Sequence, residues 1–246
     1  MNNPFGILSR YHSKEGTGIV KPVPERGPGL YWFLFGSYWY KLIGYSSLTF
    51  LLCIPIITAP AAILALNRIT MKLAMDHVCV MSLEYWDEFK ASFAKSLPVM
   101  LIWVTLLTLA ALFGYRSLTG AMADTLPGYL LAGAALFVCI LLILFMAYFL
   151  ALHVILDLPV GANIRNALIL TLTQGKADLY LLLVTLIYVA EVLFLPYSAA
   201  LMVFFLPAYV SLARSVIIKP VITEKLIVPE AGKEDEKAET AEDILP

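Results

Sequence analysis

The side chains that could do chemistry are few and scattered along this chain. Glu191 is the one acidic residue set well inside an apolar run, YLLLVTLIYVAEVLFLP (180–196). A charge there is costly, so it calls for a role and a named partner. Arg116 is the basic residue expected at the same end of the bundle, and a pair across the bundle is one reading. The other is that Glu191 reaches up to the interface. His153 and Asp157 stand one helical turn apart and could share a hydrogen bond, as a local cap or as a proton relay. His12, His77 and His153 are otherwise isolated, and Cys53, Cys79 and Cys139 are dispersed through mostly apolar sequence. They read as small hydrophobes rather than as metal ligands or disulfides. There is no Gly-rich phosphate loop, no Gly-x-Ser-x-Gly and no paired carboxylates inside an apolar run. The expectation is a non-enzyme with no catalytic residue, cofactor or metal, and nucleic-acid binding has no support.

The elements that must position these residues are apolar helices. Of 246 residues, 61% are hydrophobic and only 14% charged, and the mean hydropathy is +0.84. Soluble domains are nearer half apolar and a quarter charged. Several runs approach the roughly 20 residues that cross a bilayer, and the strand alternation of an outer-membrane barrel is absent. The fold class expected is all-α, a polytopic membrane bundle of about six transmembrane helices with two cytosolic amphipathic helices.

The stretch Phe50–Leu66, FLLCIPIITAPAAILAL, decides the number of spans. Pro55 and Pro60 interrupt it, and a proline lacks the N–H and clashes with the preceding turn. Pro60 suits the first turn of a new helix, with Thr58 or Ala59 at its cap. The stretch therefore predicts the tip of a hairpin. The spans expected are 37–56, 58–78, 97–115, 128–156, 178–195 and 197–218. With both termini inside, the inner segments hold 16 Lys and Arg and the outer side holds only Arg116, a positive-inside pattern. A five-span alternative splits those charges between the two sides.

Residues 1–36 read as a cytosolic arm ending in an aromatic segment, GLYWFLFGSYWY (29–40), either an interfacial lead-in or the start of a long helix. Residues 37–220 form the membrane domain. Residues 221–246 form a flexible acidic tail; from Glu224 onward eight acidic residues face three basic ones. Between spans two and three, Leu83, Trp86, Phe89 and Phe93 recur at helical spacing. Asp87, Glu88, Lys90 and Lys95 supply a polar side, and Ser82 a cap. This separate inner helix could lie on lipid, pack under the bundle or receive a partner through Trp86, Phe89 and Phe93. A second inner helix over 160–174 has Asn163 as cap and Gly175 as stop. FKASF (89–93) and IRNAL (164–168) share a pattern 75 residues apart, a hint of two related halves. Pro196 marks a tight outer turn, Pro207 a kink and Pro220 the end of the helical region.

NPFG near the start, the aromatic segment, FLLCIPIITAPAAILAL, WDEFKASFAKSLP and IRNALILTL resemble the YesL-like family of bacterial integral membrane proteins of unknown function. The resemblance covers most of residues 1–218 and is most specific at Pro55, Thr58 and Pro60, although Ala59 stands where members often carry Gly. It implies the bacterial cytoplasmic membrane and a loose association with carbohydrate uptake, with sugar ABC-transporter subunits as partners beside the lipid bilayer. It implies no catalytic residue. WDEFKASFAKSLP is also loosely similar to the coupling loop of ABC permeases, without the central glycine. A permease or channel subunit is thus the alternative reading, and a structural membrane protein with no transport role a third.

Overall fold

The computed structural model describes residues 24–77, 79–120, 124–156, 158–194 and 199–227. Among these there are seven α-helices, α1 Gly27–Cys53, α2 Ala59–Asp76, α3 Met81–Thr119, α4 Leu126–Ile155, α5 Val160–Thr173, α6 Gly175–Phe194 and α7 Ala199–Ile222, then a π turn over Thr223–Ile227, and no strand. By length and composition α3, α4 and Leu206–Lys225 are long and apolar enough to cross a membrane, and a fourth crossing results if α5 and α6 count as one broken span. The arm before residue 24, Pro196 and the tail after 227 lie outside the described residues, as does Asp157.

The hairpin is present. α1 ends at Cys53 and α2 opens at Ala59, with Pro60 in its first turn and Thr58 at the cap position. Thr58 does not cap α2 with its side chain. Its hydroxyl donates backwards, to the carbonyl of Pro55 at 2.8 Å and to that of Leu52. The last carbonyls of a helix have no intrahelical partner, so this one side chain closes α1 while its backbone starts α2.

α2 is the centre of the bundle. Twelve of its 18 residues are buried, and Arg68, Lys72 and Asp76 keep part of their surface exposed. It packs against α1, α3, α4 and α7. On one side Leu64 and Met71 join a core built on Leu144–Val154 of α4, with Ala167 and Leu170 of α5, Leu181 of α6 and Ile218 of α7. On the other, Ala65, Leu66, Ile69 and Leu73 meet Leu30, Leu34 and Leu42 of α1 and Leu212 of α7. Alanines at 61, 62, 65 and 74, all fully buried, let neighbouring helices come close.

Several boundaries differ from the sequence expectation. The aromatic segment 29–40 lies inside α1, because Leu30 and Leu34 bury and Phe35 meets Tyr209 of α7 at 4.8 Å. The inner helix and span three are one 39-residue helix, α3, with Pro98 inside it. Its length is about 58 Å at 1.5 Å per residue. Val80, not Ser82, is the cap position of α3. Pro159, not Asn163, precedes α5, and Asn163 is fully buried. Gly175 opens α6 instead of ending α5, and the two meet at 95°. The two proposed halves therefore differ in shape, the first inner segment being collinear with its span and the second bent. α7 runs through Pro207 and Pro220. Just after Pro207, the Ala208 N–H donates to Ser46 Oγ of α1 at 3.3 Å. A side chain from a neighbouring helix thereby takes up a backbone group at the proline, as apolar surroundings require.

Candidate functional site

The charged residues of α2 are spaced to act together. Arg68 and Lys72 lie one turn apart on one face, and Glu84 and Glu88 lie one turn apart near the start of α3. The 77–80 connection folds α3 back beside α2; His77 adopts φ 60° there, its N–H reaching Leu73 O at 3.0 Å. The two pairs then face each other. Arg68 Nε donates to Glu84 Oε2 at 3.2 Å, Arg68 Nη1 lies 3.9 Å from Glu88 Oε2, and Lys72 Nζ binds Glu84 Oε1. Arg68 Nη1 also donates to the Val154 carbonyl of α4.

The chain of polar contacts continues into α4. Ser92 donates to Glu88 Oε1, and Ser92 Oγ lies 3.4 Å from His153 Nε2. The His153 ring stacks on Phe149 with centroids 5.8 Å apart. Lys72, Glu84, Arg68, Glu88, Ser92 and His153 thus form a continuous row joining α2, α3 and α4. Glu88 is the more enclosed of the two carboxylates in the row, its side chain 12% exposed, and its contacts with Arg68 and Ser92 compensate for the lost water. Burial pushes the Glu84 carboxyl up, but the hydrogen bonds and charges of Lys72 and Arg68 overcome that and hold it below the usual carboxylate range. Two cations face two carboxylates, so the row is balanced and serves to lock three helices.

The same row inverts the expected polarity of the first part of α3. Met81, Tyr85, Ser92 and Ser96 are buried, and Glu84 and Glu88 turn toward the bundle. Tyr85 shares a hydrogen bond with Thr49 of α1 at 3.0 Å. Leu83, Trp86 and Phe93 face outward, at 59%, 38% and 39% exposed. Phe89 is half-buried and bridges the two sides, its ring 5.6 Å from Trp86 and 5.9 Å from Phe93. Glu88 was expected on the solvated side, and it lies on the buried one.

Arg116 and Glu191 are not brought together. No ion pair joins them, and α3 and α6 share no contact. α3 packs chiefly on α2 and α4, with Tyr85 reaching α1, whereas α6 packs on α7, with lesser contacts to α4 and α5. The pairing of His153 with Asp157 falls outside the described residues; His153 Nε2 lies 3.4 Å from Ser92 Oγ. The thiol of Cys79 is pushed up to about 11 by burial, so it stays protonated near neutral pH. Among the described residues no group of three or more His, Cys, Asp or Glu could hold a metal ion.

A polar seam that spacing did not reveal runs between α2 and α7. Thr70 Oγ1 and Ser211 Oγ are 2.7 Å apart, Ser215 donates to Thr70 at 3.1 Å, and Ser211 reaches Asn67 Oδ1 at 3.4 Å. About one turn from Ser211 and directly before Ser215, Arg214 points to α6 and donates to Thr185 Oγ1 at 3.2 Å. Its Nε is buried without a hydrogen-bond partner, and no carboxylate among the described residues pairs with it. Nearby, buried Tyr148 donates to Asp178 at 2.8 Å. The i, i+4 spacing of 68/72 and 84/88 was a readable signal for the charged row. For Arg214 the signal was an ionisable residue inside the run VSLARSVII (210–218). Comparison of the chain with family models, with curated proteins and with solved structures found no match.

Proposed function

We propose that the chain is a six-span integral membrane protein with both termini inside, in the bacterial cytoplasmic membrane. Its role is non-enzymatic, accessory to carbohydrate uptake of the ABC type, and it docks a permease through the first part of α3. The spans are α1, α2, the later part of α3, α4, α6 and α7. The 16-to-1 distribution of Lys and Arg supports that orientation, and the resemblance to the YesL-like family supports the location and the partner.

One observation carries the docking role. The start of α3 is bound to the bundle by its charged face and turns Leu83, Trp86 and Phe93 outward. An amphipathic helix that merely packed under the bundle would bury those side chains. Aromatic anchors on a rigid helix suit a helix-in-groove contact. The test is purification from native membranes in mild detergent. Transporter subunits should accompany the wild-type chain and be lost from the Trp86→Ser/Phe93→Ser variant, which keeps its thermal stability. Recovery without any transporter subunit would sink the proposal.

A second reading, a permease or channel subunit, draws on the α2–α7 seam and on Arg214, a cation facing α6 with no carboxylate beside it. Solute flux in reconstituted vesicles that vanishes in Arg214→Met would favour it over the accessory role.

A further inference from the structure

A groove of about 640 Å³ runs between α3 and α4, lined by Leu109, Leu112 and Phe113 on one side and by Ala134, Ala135 and Val138 on the other, with Arg116 among its lining. Its size is that of a small-molecule site, and its walls are hydrocarbon, with Arg116 at one end. From Leu109 to Arg116 is two helical turns, about 10 Å of apolar wall. We propose that this groove binds a phospholipid, one acyl chain lying along the wall and the phosphate held by Arg116.

The groove is a fixed feature because the two helices are pinned on either side of it. Toward the α3 C-terminus, Gly114 lies so close to α4 that a Cβ there would sit 3.1 Å from Ala135 Cβ. At the other end Trp103 Nε1 donates to the Leu142 carbonyl at 2.7 Å. Around the Gly114 contact the small Ala134 and Ala135 of α4 line the groove opposite Leu109, Leu112 and Phe113 of α3, which leaves space that neither helix fills.

Charge identifies the occupant. Arg116 is exposed in the last turn of α3, and its side chain makes no hydrogen bond or ion pair with a described residue. The nearby Asp124 carboxylate accepts from the Tyr129 hydroxyl at 3.1 Å instead. α3 and α4 are both long and apolar enough to cross a membrane, and almost none of the apolar stretch of α3 is buried, so its surface beside the groove meets hydrocarbon. A molecule with a long alkyl chain and an anion at one end matches a long apolar wall with a cation at one end. The planar fork of arginine binds phosphate oxygens in pairs. A helix of a second protein would need its own carboxylate at that depth, and would be too wide for a groove bounded by such close helix contacts.

The test is native mass spectrometry of the full chain, delipidated in mild detergent and titrated with phosphatidylglycerol or with diacylglycerol of the same chains. The wild type should hold one phosphatidylglycerol at least tenfold more tightly than diacylglycerol. Arg116→Gln should lose that preference, and Ala134→Phe, which fills the groove from an exposed position, should lose binding of both lipids. Unchanged melting temperatures confirm that the variants are folded. Equal affinity for the two lipids in the wild type would overturn the role of Arg116, and tight binding by Ala134→Phe would overturn the groove. A chain that binds neither lipid but forms a dimer lost in Ala134→Phe would show that a second copy fills the groove instead.

Discussion

Glu84 of α3 accepts from Arg68 Nε of α2 at 3.2 Å and from Lys72 Nζ with its other oxygen. One carboxylate thus ties two successive turns of the central helix to the next helix. Its side chain is 20% exposed, between the surface and buried regimes. Glu84→Gln should cost about 1–2 kcal/mol, more than a surface pair and less than a buried one. The hydrogen bonds and charges of Lys72 and Arg68 outweigh burial and hold the folded carboxyl below the usual glutamate range. A depressed carboxylate contributes stability that is present above the unfolded pKa and lost as pH falls through the folded one. Melting temperature in detergent should therefore fall in the wild type as pH drops below about 4.5, and fall less in Glu84→Gln. Parallel pH profiles for the two would count against the ion pairs.

The Thr58 hydroxyl, by donating to the carbonyls of Leu52 and Pro55, makes a direct prediction at the hairpin. Thr58→Val keeps the shape and removes the donor, and should lower stability by about 1 kcal/mol. Thr58→Ser should restore it. Equal melting temperatures for all three chains would show that the prolines alone set the turn.

Gly114 sits where α3 and α4 come closest, with a Cβ there 3.1 Å from Ala135 Cβ. Gly114→Ala gains up to about 1 kcal/mol of helix propensity, and the small shift it demands offsets much of that gain. Gly114→Val should destabilise by about 1–3 kcal/mol through overpacking. It should also shift Trp103 fluorescence by drawing its N–H from the Leu142 carbonyl. A stable Gly114→Val chain with unchanged fluorescence would contradict the close approach.

Arg214, with a buried Nε and a hydrogen bond to Thr185, is a cation without a counter-charge among the described residues. An arginine retained for stability should be costly to replace. One held for another purpose should not, because burying an apolar side chain of similar length removes a desolvation penalty. Arg214→Met should therefore melt within about 1 kcal/mol of the wild type or above it, as measured by thermal unfolding in detergent. A large loss of stability would assign Arg214 a structural role.

Much of the architecture was legible in the residues themselves. Apolar run length and the Pro55/Pro60 break are local properties of the chain, and they specify helices and the turn at 54–58 because backbone groups away from water must bond within helices. Helix ends were less legible. Ser82 and Asn163 have the side chains of caps, yet Tyr85 and Ser92 bury toward the bundle and draw the start of α3 into a single helix with the apolar run that follows. A cap is one hydrogen bond, and packing of a whole face outweighs it.

Residue types and the positive-inside count could be read without a partner for any helix, because composition and charge belong to each segment alone. Which faces meet belonged to the tertiary structure. Arg116 and Glu191 looked like a pair on depth alone, and only the order of helices around α2 separates them. The row from Lys72 to His153 arises because α2 is mostly enclosed and its two half-buried cations face the start of α3, where Glu84 and Glu88 meet them. The outward turn of Trp86 and Phe93 follows from that same pairing: once Glu84 and Glu88 are drawn inward to Arg68 and Lys72, the opposite face of α3 has nowhere to point but out.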